Sequence, residues 1–435
     1  MYGAVGTVAA FVVALLFILW RPRGLNPAVP ATIGALLALL FGSVTIPDLL
    51  NIFTLISGAS ITIVATIAMA ILLESFGFYR WAAQGLAARA RGSGLRLFWY
   101  TNLLCFLMTL FFNNDGSILI TTPILIVLLE HLHLKNEQKI PYLLSGALIA
   151  TASSAPIGVS NIVNLIALDI VGMDLYMHSV MMFVPSMLGL GFFVGCLYLC
   201  FRRSLPERIP ESVALDDASP ADRRRQNRTM RNILLFVFVV RAGLFLSSYF
   251  HLPIEIAAVV GTIALLGWRW ARLGISPADM AKKTPWHILI FAYGMYVMIY
   301  GLNNVGLADA LVRIVSPVVT DDLFRVSYAI GAIMTALSVL FNNHPALLIG
   351  TLALTSMPLD PLLLKVAYLA SIIGSDLGAL LVPIGTLASL IWMSVLRRHG
   401  IRVTWRTYMR VTLVTVPPTL VVSLGLLALW VEWLF

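Results

Sequence analysis

The chain has 435 residues, of which 60% are hydrophobic and only 11% are charged. A soluble domain of this size carries about twice that share of charged residues, so the composition excludes an ordinary soluble protein. The net charge of +9 does not indicate a nucleic-acid partner, because the basic residues lie in short segments between apolar stretches. We therefore expect an α-helical protein that spans the lipid bilayer many times and binds no nucleic acid.

Apolar stretches of about 17 residues or more follow one another along the chain, and each is long enough to cross a bilayer. The predicted spans share this property and cover 3–20, 27–46, 49–77, 141–172, 178–201, 232–250, 254–270, 285–303, 362–396 and 411–434. Two further apolar blocks, 97–130 and 324–357, are each interrupted by a polar centre that carries glycine or proline. We predict that these two blocks are re-entrant hairpins.

The distribution of Lys and Arg supports this arrangement. The basic clusters lie in 21–23, 80–96, 135–139, 202–231, 269–283 and 397–410, and segments without any basic residue are 44–48, 172–178, 251–255 and 358–361. If both split blocks enter and leave the membrane on one side, every cluster lies in the cytoplasm, as the positive-inside rule requires. The N-terminus and the C-terminus are then predicted to lie outside.

Short sequence signatures recur in the two halves of the chain. The matching pairs are Phe112-Asn113-Asn114-Asp115 with Phe341-Asn342-Asn343-His344 and Glu74-Ser75-Phe76-Gly77-Phe78 with Asn303-Asn304-Val305-Gly306-Leu307, both 229 residues apart, and Pro156-Ile157-Gly158 with Pro383-Ile384-Gly385, 227 residues apart. Because an odd number of predicted spans separates equivalent positions, the two copies are predicted to be inverted in the membrane.

The predicted fold is an all-α membrane protein made of two inverted repeats, each with five transmembrane helices and one re-entrant hairpin. The first repeat is assigned to residues 1–201, a cytoplasmic linker to 202–231 and the second repeat to 232–435. Inverted repeats with broken helices at the midplane are typical of secondary transporters, whose substrate sites lie at the breaks.

Four polar interruptions are the expected components of such a site. Asn113-Asn114-Asp115 and Asn342-Asn343-His344 suit helix interiors poorly and are predicted to be the hairpin turns. Residues 153–158 and 374–378, the latter followed by 383–385, are predicted to be unwound centres of the fifth and tenth helices. Irregular backbone at membrane depth is tolerated only inside protein or beside a wet cavity, so we expect the four interruptions to meet near the midplane.

The polar side chains of these interruptions are the candidate site residues. Those predicted to bind the substrate are Asn113, Asn114, Ser160, Asn161, Asn342, Asn343, Ser375 and Thr386. Asp115 and Asp376 are intramembrane carboxylates, which are costly and usually mark ion paths, so they are predicted to couple transport to protons. His344, in the place of Asp115, either titrates near neutral pH or acts as a fixed donor. Arg241, inside the sixth span, has no assigned role beyond snorkelling or pairing with Glu255.

Several function classes are excluded by what the sequence lacks. No Walker loop, no His-Glu-x-x-His and no Gly-x-Ser-x-Gly motif occurs, so the chain itself is not expected to use ATP, to be an enzyme or to need a cofactor. Cys105, Cys196 and Cys200 lie in apolar stretches. A soft-metal thiolate site usually needs more convergent sulfurs, so no metal site is predicted.

The polar motifs resemble those of a known family. Asn113-Asn114-Asp115-Gly116 with Thr122-Pro123-Ile124, the run 159–164 (Val-Ser-Asn-Ile-Val-Asn) and the run 374–392 are similar to the bacterial arsenite/antimonite efflux permeases of the ion transporter superfamily. The resemblance covers nearly the whole chain. One difference is that the family commonly has Pro-Lys after Asp-Leu-Gly, where this chain has Ala379-Leu380.

This resemblance implies export of arsenite or antimonite across the bacterial inner membrane, driven by proton antiport and an elevator-type motion. It also allows a soluble arsenite-stimulated ATPase subunit as a partner. The alternative is a sodium- or proton-coupled carrier of anions or dicarboxylates, or a sodium/proton antiporter, with the same fold. Carboxylate carriers usually have Ser-Asn-Thr at their hairpin tips, and a negative Asp115 would repel a dianion. Sodium dependence of transport would discriminate between the two.

Overall fold

The computed structural model describes residues 2–210, 220–319 and 322–435, and every regular element within these ranges is a helix. The predicted all-α membrane fold is thus confirmed. Residues 211–219 of the predicted linker lie outside the described residues. The last part of that linker, 220–231, is helical and continues into the sixth predicted span.

In the described part of the first half, nine α-helices follow one another. They are α1 (Tyr2–Trp20), α2 (Ala28–Leu40), α3 (Ile46–Ser75), α4 (Phe78–Ala90), α5 (Gly94–Phe111), α6 (Asn114–His131), α7 (Asn136–Ala152), α8 (Ile162–Val171) and α9 (Leu175–Phe201). We call α5 and α6 hairpin 1. The irregular segment 153–161 between α7 and α8 is the first break. It contains the residues that were predicted to be unwound.

The described part of the second half repeats this order with one additional short helix, α12. Its helices are α10 (Pro220–Tyr249), α11 (Ile254–Leu273), α12 (Ala278–Lys283), α13 (His287–Asn304), α14 (Leu307–Val315), α15 (Leu323–Phe341), α16 (Asn343–Thr355), α17 (Pro361–Gly378), α18 (Leu387–Arg398) and α19 (Trp405–Leu434). We call α15 and α16 hairpin 2, and the irregular segment 382–386 the second break.

Nine helices in the described ranges are long and apolar enough to cross a membrane, and a tenth span arises if α13 is joined to Leu307–Val318 across a 73° bend. The helices in this count are not all the same as the predicted spans. The predicted span 27–46 contains a helix of only 13 residues, α2. The helices α5 and α15 pass the length test, but each packs against the helix that follows it, as the arms of a hairpin do.

Equivalent residues of the two halves occupy equivalent structural positions. Gly77 and Gly306 both adopt left-handed backbone, with φ of 75° and 93°, and cap α4 and α14. Asn113 and Asn342 both cap the second arm of a hairpin. The signatures that recur in the sequence therefore mark the same local structures.

Helices of one half also pack on helices of the other half in matched pairs. α2 packs against α13, and its counterpart α11 packs against α3. α6 packs against α18, α16 packs against α8, and α9 and α19 pack against each other. A two-fold relation between the halves produces such matched pairs. The inverted orientation of the two halves in the membrane remains a prediction.

The interruption of the tenth predicted span lies later than expected, which corrects the assignment of 374–378 as unwound. α17 continues to Gly378, and a 3-10 turn at Ala379–Leu381 leads into the second break. The glycines serve packing instead, because a Cβ on Gly374 would lie less than 3.0 Å from the carbonyl oxygen of Gly331 in α15. Small residues at such positions let membrane helices approach closely.

Replacing Gly374 with alanine is expected to lower the melting temperature of the detergent-purified protein. The added methyl group would push α15 and α17 apart, and overpacking costs about 1–3 kcal/mol. Gly191→Ala is the matched control, since no described atom outside the neighbouring backbone of α9 lies within 4 Å of a Cβ at that position. We expect the control to melt at or above the wild-type temperature, because alanine is the better helix former. Equal melting of the two variants would contradict the packing role.

Candidate functional site

Each hairpin turns at an asparagine that caps its second arm. The Oδ1 atom of Asn113 accepts a hydrogen bond from the Gly116 amide at 2.9 Å, which starts α6. Asn342 caps α16 through its contact with the His344 amide at 3.5 Å and has a φ of 76°. Left-handed backbone is uncommon for residues other than glycine, and asparagine is among those that adopt it most readily. The structure thus places both turns where the sequence indicates them.

Each turn is held against the break of its own half by a main-chain hydrogen bond. The Asn114 amide donates to the carbonyl of Ser160, and the Asn343 amide donates to the carbonyl of Gly385, both at 3.0 Å. The accepting residues each precede an N-cap, and these caps are Asn161 for α8 and Thr386 for α18. The four interruptions therefore form two matched contacts.

Asp376 of α17 joins these two contacts. Its Oδ2 atom accepts hydrogen bonds from the Ser154 hydroxyl at 2.6 Å and from the Asn164 amide at 3.4 Å, both from the first half. The Tyr368 hydroxyl, two turns earlier on α17, donates to the Asn164 carbonyl at 2.9 Å. Asn343 of hairpin 2 faces the same carboxylate without a hydrogen bond of normal geometry. One carboxylate therefore connects the first break with hairpin 2.

Many polar atoms of the two hairpins, the first break, α8 and α17 are buried and have no hydrogen-bond partner within the described protein. They are Asp115 Oδ1, Ser117 Oγ, Ser160 Oγ, Asn161 Nδ2, Asn164 Oδ1, Asn343 Nδ2 and Oδ1, Ser375 Oγ and Asp376 Oδ1. Native interiors leave few such atoms, so a concentration of them calls for an explanation. Because the set contains donors, acceptors and hydroxyl groups, a small polar solute or water could satisfy it.

Other predicted site residues use their polar groups within the protein. The Asn342 side-chain amide donates to the carbonyl of Ile384 at 3.1 Å. The Thr386 hydroxyl donates to the Ser389 hydroxyl at 2.8 Å and accepts from the Ser389 amide. Asn114 Oδ1 accepts from the next amide of its own turn. These side chains shape the turns and caps, and their predicted contact with the substrate remains a prediction.

The two remaining predicted coupling residues lie at the hairpin turns. Asp115 is buried in the first turn of α6, and Arg21, after α1, is close enough to interact with it electrostatically. The ring of His344 is also buried and packs against Phe291 of α13, with ring centroids 5.9 Å apart. The structure therefore puts Asp115 within the electrostatic influence of a cation and His344 next to an aromatic ring.

Two buried residues that sequence reasoning did not single out support the first break. The His178 ring in α9 is fully buried and its Nε2 atom bonds to the Ala155 carbonyl at 2.9 Å. A Cβ on Gly158 would lie 3.3 Å from the same ring atom. Tyr368 holds the other side of the break through Asn164. The available signal was a lone histidine in an apolar span, which by itself does not identify its partner.

Arg241 does not pair with Glu255, which was one of its suggested partners. Its Nε and Nη2 groups donate to the main-chain carbonyls of Phe111 and Phe112 at 2.6 Å each. These carbonyls lie at the end of α5, directly before the turn of hairpin 1. A cation of the second half thus contacts the hairpin of the first half.

A small cavity of about 20 Å³ lies beside Asp376, between the first break, α9, α17 and α19. Its lining includes the hydroxyl groups of Ser186, Thr419 and Ser423. The volume has room for one water molecule. The Ser186 hydroxyl and Asp376 Oδ1 are both buried without a partner in the described protein, and both residues line this cavity.

A larger cavity of about 920 Å³ opens between α1 and the segment from the second break to α19. Arg397 and Arg402 contribute to its lining, as do Pro383 and Ile384 of the second break. Because the Asn342 side chain bonds to the Ile384 carbonyl, this part of the lining lies next to the turn of hairpin 2.

Glu74 is exposed at the end of α3. The three cysteines are free, and within the described ranges no group of three or more His, Cys, Asp or Glu residues is arranged to hold a metal. The site is thus built from amides, hydroxyl groups and carboxylates.

Comparison with known proteins places the chain in a family. A profile of the arsenical pump membrane protein family matches residues 6–431. A putative arsenical pump membrane protein of Bacillus subtilis (strain 168) is 52% identical over 439 residues, covering 98% of this chain and 99% of that protein. An arsenical pump membrane protein of Escherichia coli is 31% identical over 421 residues, covering 97% of each chain.

A solved structure shares the fold. The YdaH transporter of Alcanivorax borkumensis, described as having an unusual topology, matches 90% of each chain with a TM-score of 0.52 and 15% identity. This likeness concerns the fold alone. Because the family profile spans nearly the whole chain and both relatives match across nearly their full length, the chain belongs to the arsenical pump membrane protein family and is a multi-span membrane transporter.

Proposed function

We propose that this transporter exports a neutral trivalent hydroxide of arsenic or antimony from the cytoplasm in exchange for protons, with the site around Asp376 as its binding site. The observation that carries this proposal is the group of buried polar atoms without protein partners, drawn from the first break, hairpin 2 and α17. These elements belong to both halves of the chain. Secondary transporters bind their solutes where interrupted helices converge in this way.

The chemistry of the proposed substrate matches the groups present. Arsenious acid is a weak acid that is mostly uncharged at neutral pH and presents three hydroxyl groups. Its hydroxyl groups can donate to Asn164 Oδ1 and Asp376 Oδ1 and accept from Asn343 Nδ2, all of which lack protein partners. No thiol is required for these contacts. An uncharged solute also avoids the cost of burying a second charge next to a carboxylate.

Proton exchange follows if the substrate and a proton compete for Asp376. The ionised carboxylate accepts from Ser154 and Asn164 through Oδ2, which leaves Oδ1 as an acceptor for a substrate hydroxyl. Protonation of Oδ1 removes that acceptor and replaces it with a donor, so the substrate is released. Asp115, which interacts electrostatically with Arg21, is the second candidate for such a role. Intramembrane carboxylates commonly serve as proton relays.

Access from the cytoplasm is assigned to the 920 Å³ cavity that reaches the second break. Arg397 and Arg402, which contribute to its lining, belong to a basic segment that the positive-inside rule places in the cytoplasm. Movement of the hairpins and breaks as one body would then expose the site to the other side. This is the elevator-type motion that the family resemblance implies.

The proposal is tested with the purified chain in proteoliposomes that contain no ATP. An acid interior is imposed, and arsenite uptake is measured by elemental mass spectrometry. We expect uptake to exceed the gradient-free level at least about fivefold and to vanish with a protonophore. Uptake that follows an imposed sodium gradient, or competition by a dicarboxylate, would favour the carrier alternative. A requirement for ATP and a soluble subunit would contradict proton antiport.

A further inference from the structure

Arg241 is a cation in the interior of α10 that is only 5% exposed. Its partners are main-chain carbonyls, and within the described ranges no carboxylate lies at ion-pair distance from it. Charged side chains inside the membrane are costly and are usually retained for function. Packing alone therefore does not account for an arginine at this position.

The two carbonyls that it contacts are the ones that need a donor. The last carbonyls of a helix have no intrahelical partner and carry the negative end of the helix dipole. Phe111 is the last residue of α5 and Phe112 is its C-cap, so the guanidinium group satisfies the end of the first arm of hairpin 1. The next residue is Asn113, whose side chain begins α6. Arg241 thus contacts the backbone immediately before the turn.

Among the residues that the structure describes, hairpin 2 has no equivalent of the contact between Arg241 and hairpin 1. The position 229 residues before Arg241 is Val12 in α1, which cannot donate a hydrogen bond through its side chain. α1 nevertheless reaches the equivalent place, because the rings of Phe11 and Phe341 are 6.2 Å apart. The turn of hairpin 2 is held instead by its own break, through the Asn342 side chain. The two turns are therefore held in different ways.

We infer that Arg241 is a positioning residue that holds the turn of hairpin 1 from the opposite half of the chain and so sets the placement of Asn113 and Asp115. Charge-assisted hydrogen bonds are stronger than neutral ones, and two of them converge on one peptide end. Loss of the guanidinium group would leave both carbonyls without these donors. The positioning itself stands independently of the substrate, and only its effect on transport rests on the proposed function.

Hydrogen–deuterium exchange of the purified full-length protein tests the inference. In Arg241→Met, amides in a peptide covering 112–117 are expected to exchange at least about tenfold faster than in the wild type. Amides in 342–348, in the turn of hairpin 2, are expected to change less than about twofold. Arg241→Lys keeps the charge and can reach one carbonyl, so its exchange in 112–117 should be intermediate. Equal acceleration in both hairpins, or none in hairpin 1, would overturn the inference.

Arg269→Met is the matched control for removal of a buried arginine. Arg269 is fully buried in α11 and forms an ion pair with Asp279 in the short helix α12, away from both hairpins. Asp279 stays anionic at neutral pH, since hydrogen bonds from Lys283 and Arg269 hold its pKa below the usual value. We expect Arg269→Met to leave the exchange of both hairpin turns unchanged. A change at 112–117 as large as that in Arg241→Met would show a general loosening and would also overturn the inference.

Transport kinetics provide the second readout. Arg241→Met is expected to raise the KM for arsenite at least about tenfold while Vmax falls less than about threefold, and Arg241→Lys is expected to restore part of the affinity. Faster exchange at 112–117 with an unchanged KM would leave the positioning role standing and would show that the turn of hairpin 1 does not affect binding at the proposed substrate site. Failure of arsenite transport in the wild type would contradict the proposed function, whereas the exchange result would still decide the inference.

Discussion

Replacing Asp376 with asparagine is expected to reduce gradient-driven arsenite uptake about a hundredfold, close to the level of liposomes without protein. Asparagine keeps the size of the side chain and can still accept from Ser154 and Asn164. It can neither exchange a proton nor offer a charged acceptor to the substrate. Hydrogen bonds to charged groups contribute about 1.5–3 kcal/mol, which corresponds to about tenfold to a hundredfold in binding, and loss of coupling adds to this loss.

The control for this variant is Asp309→Asn in α14, where the carboxylate is exposed and lies outside the site. Both variants are compared at equal amounts of folded protein, determined by size-exclusion chromatography before reconstitution. We expect the control to transport at the wild-type rate. Uptake by Asp376→Asn above about a tenth of the wild-type rate, with the same response to the proton gradient, would remove Asp376 from the coupling mechanism.

Replacing Asn343 with alanine is expected to raise the KM for arsenite at least about fivefold. Neither the amide nitrogen nor the oxygen of this side chain has a hydrogen-bond partner in the described protein, so both are available to a ligand. The fold of hairpin 2 should persist, because the bond to Gly385 comes from the Asn343 main chain and the cap comes from Asn342. Loss of one or two hydrogen bonds to a ligand costs about 1–3 kcal/mol, which weakens binding about fivefold or more. Initial rates at several arsenite concentrations measure the effect.

Thr351→Ala is the matched control on the same arm of hairpin 2. The Thr351 side chain is buried two turns further along α16 and, among the described residues, bonds only to the Leu347 carbonyl of its own helix. Its loss removes a buried hydroxyl without touching the proposed site, so the KM should stay within about twofold of the wild type. An unchanged KM in Asn343→Ala would place the substrate elsewhere, and an equal rise in both variants would indicate that hairpin 2 has been distorted.

The hairpin turns and the first break could be predicted from sequence because their causes are local. Asparagine pairs, glycine and proline disfavour helix interiors in any context, so residues 113–115 and 342–344 indicate turns without knowledge of neighbours. The same reasoning failed at 374–378, where glycine is present for close packing against α15 and the helix continues. A glycine in a membrane helix either interrupts the helix or allows close packing, and only the position of the neighbouring helix shows which of the two applies. Short helices such as α4 and α14 were missed because their apolar faces are not long enough to suggest spans.

The partners within the site could not be predicted because they come from distant parts of the chain. Asp376 was a candidate from its position in a span, but nothing near it in sequence indicates Ser154 or Asn164 as its donors. Arg241 bonds to main-chain carbonyls, which leave no trace in side-chain patterns. Sequence reasoning therefore identifies polar residues that need a partner, and the packing of the halves decides which partners they receive.

The central claim is that amide, hydroxyl and carboxylate groups around Asp376 bind the transported metalloid. The most direct test is a cryo-electron microscopy or anomalous-diffraction structure of the protein with antimonite, whose heavy atom is located without ambiguity. The account predicts one strong peak in contact with Asp376, Asn343 and Asn164. A peak bound to Cys105, Cys196 or Cys200, with none at Asp376, would contradict it.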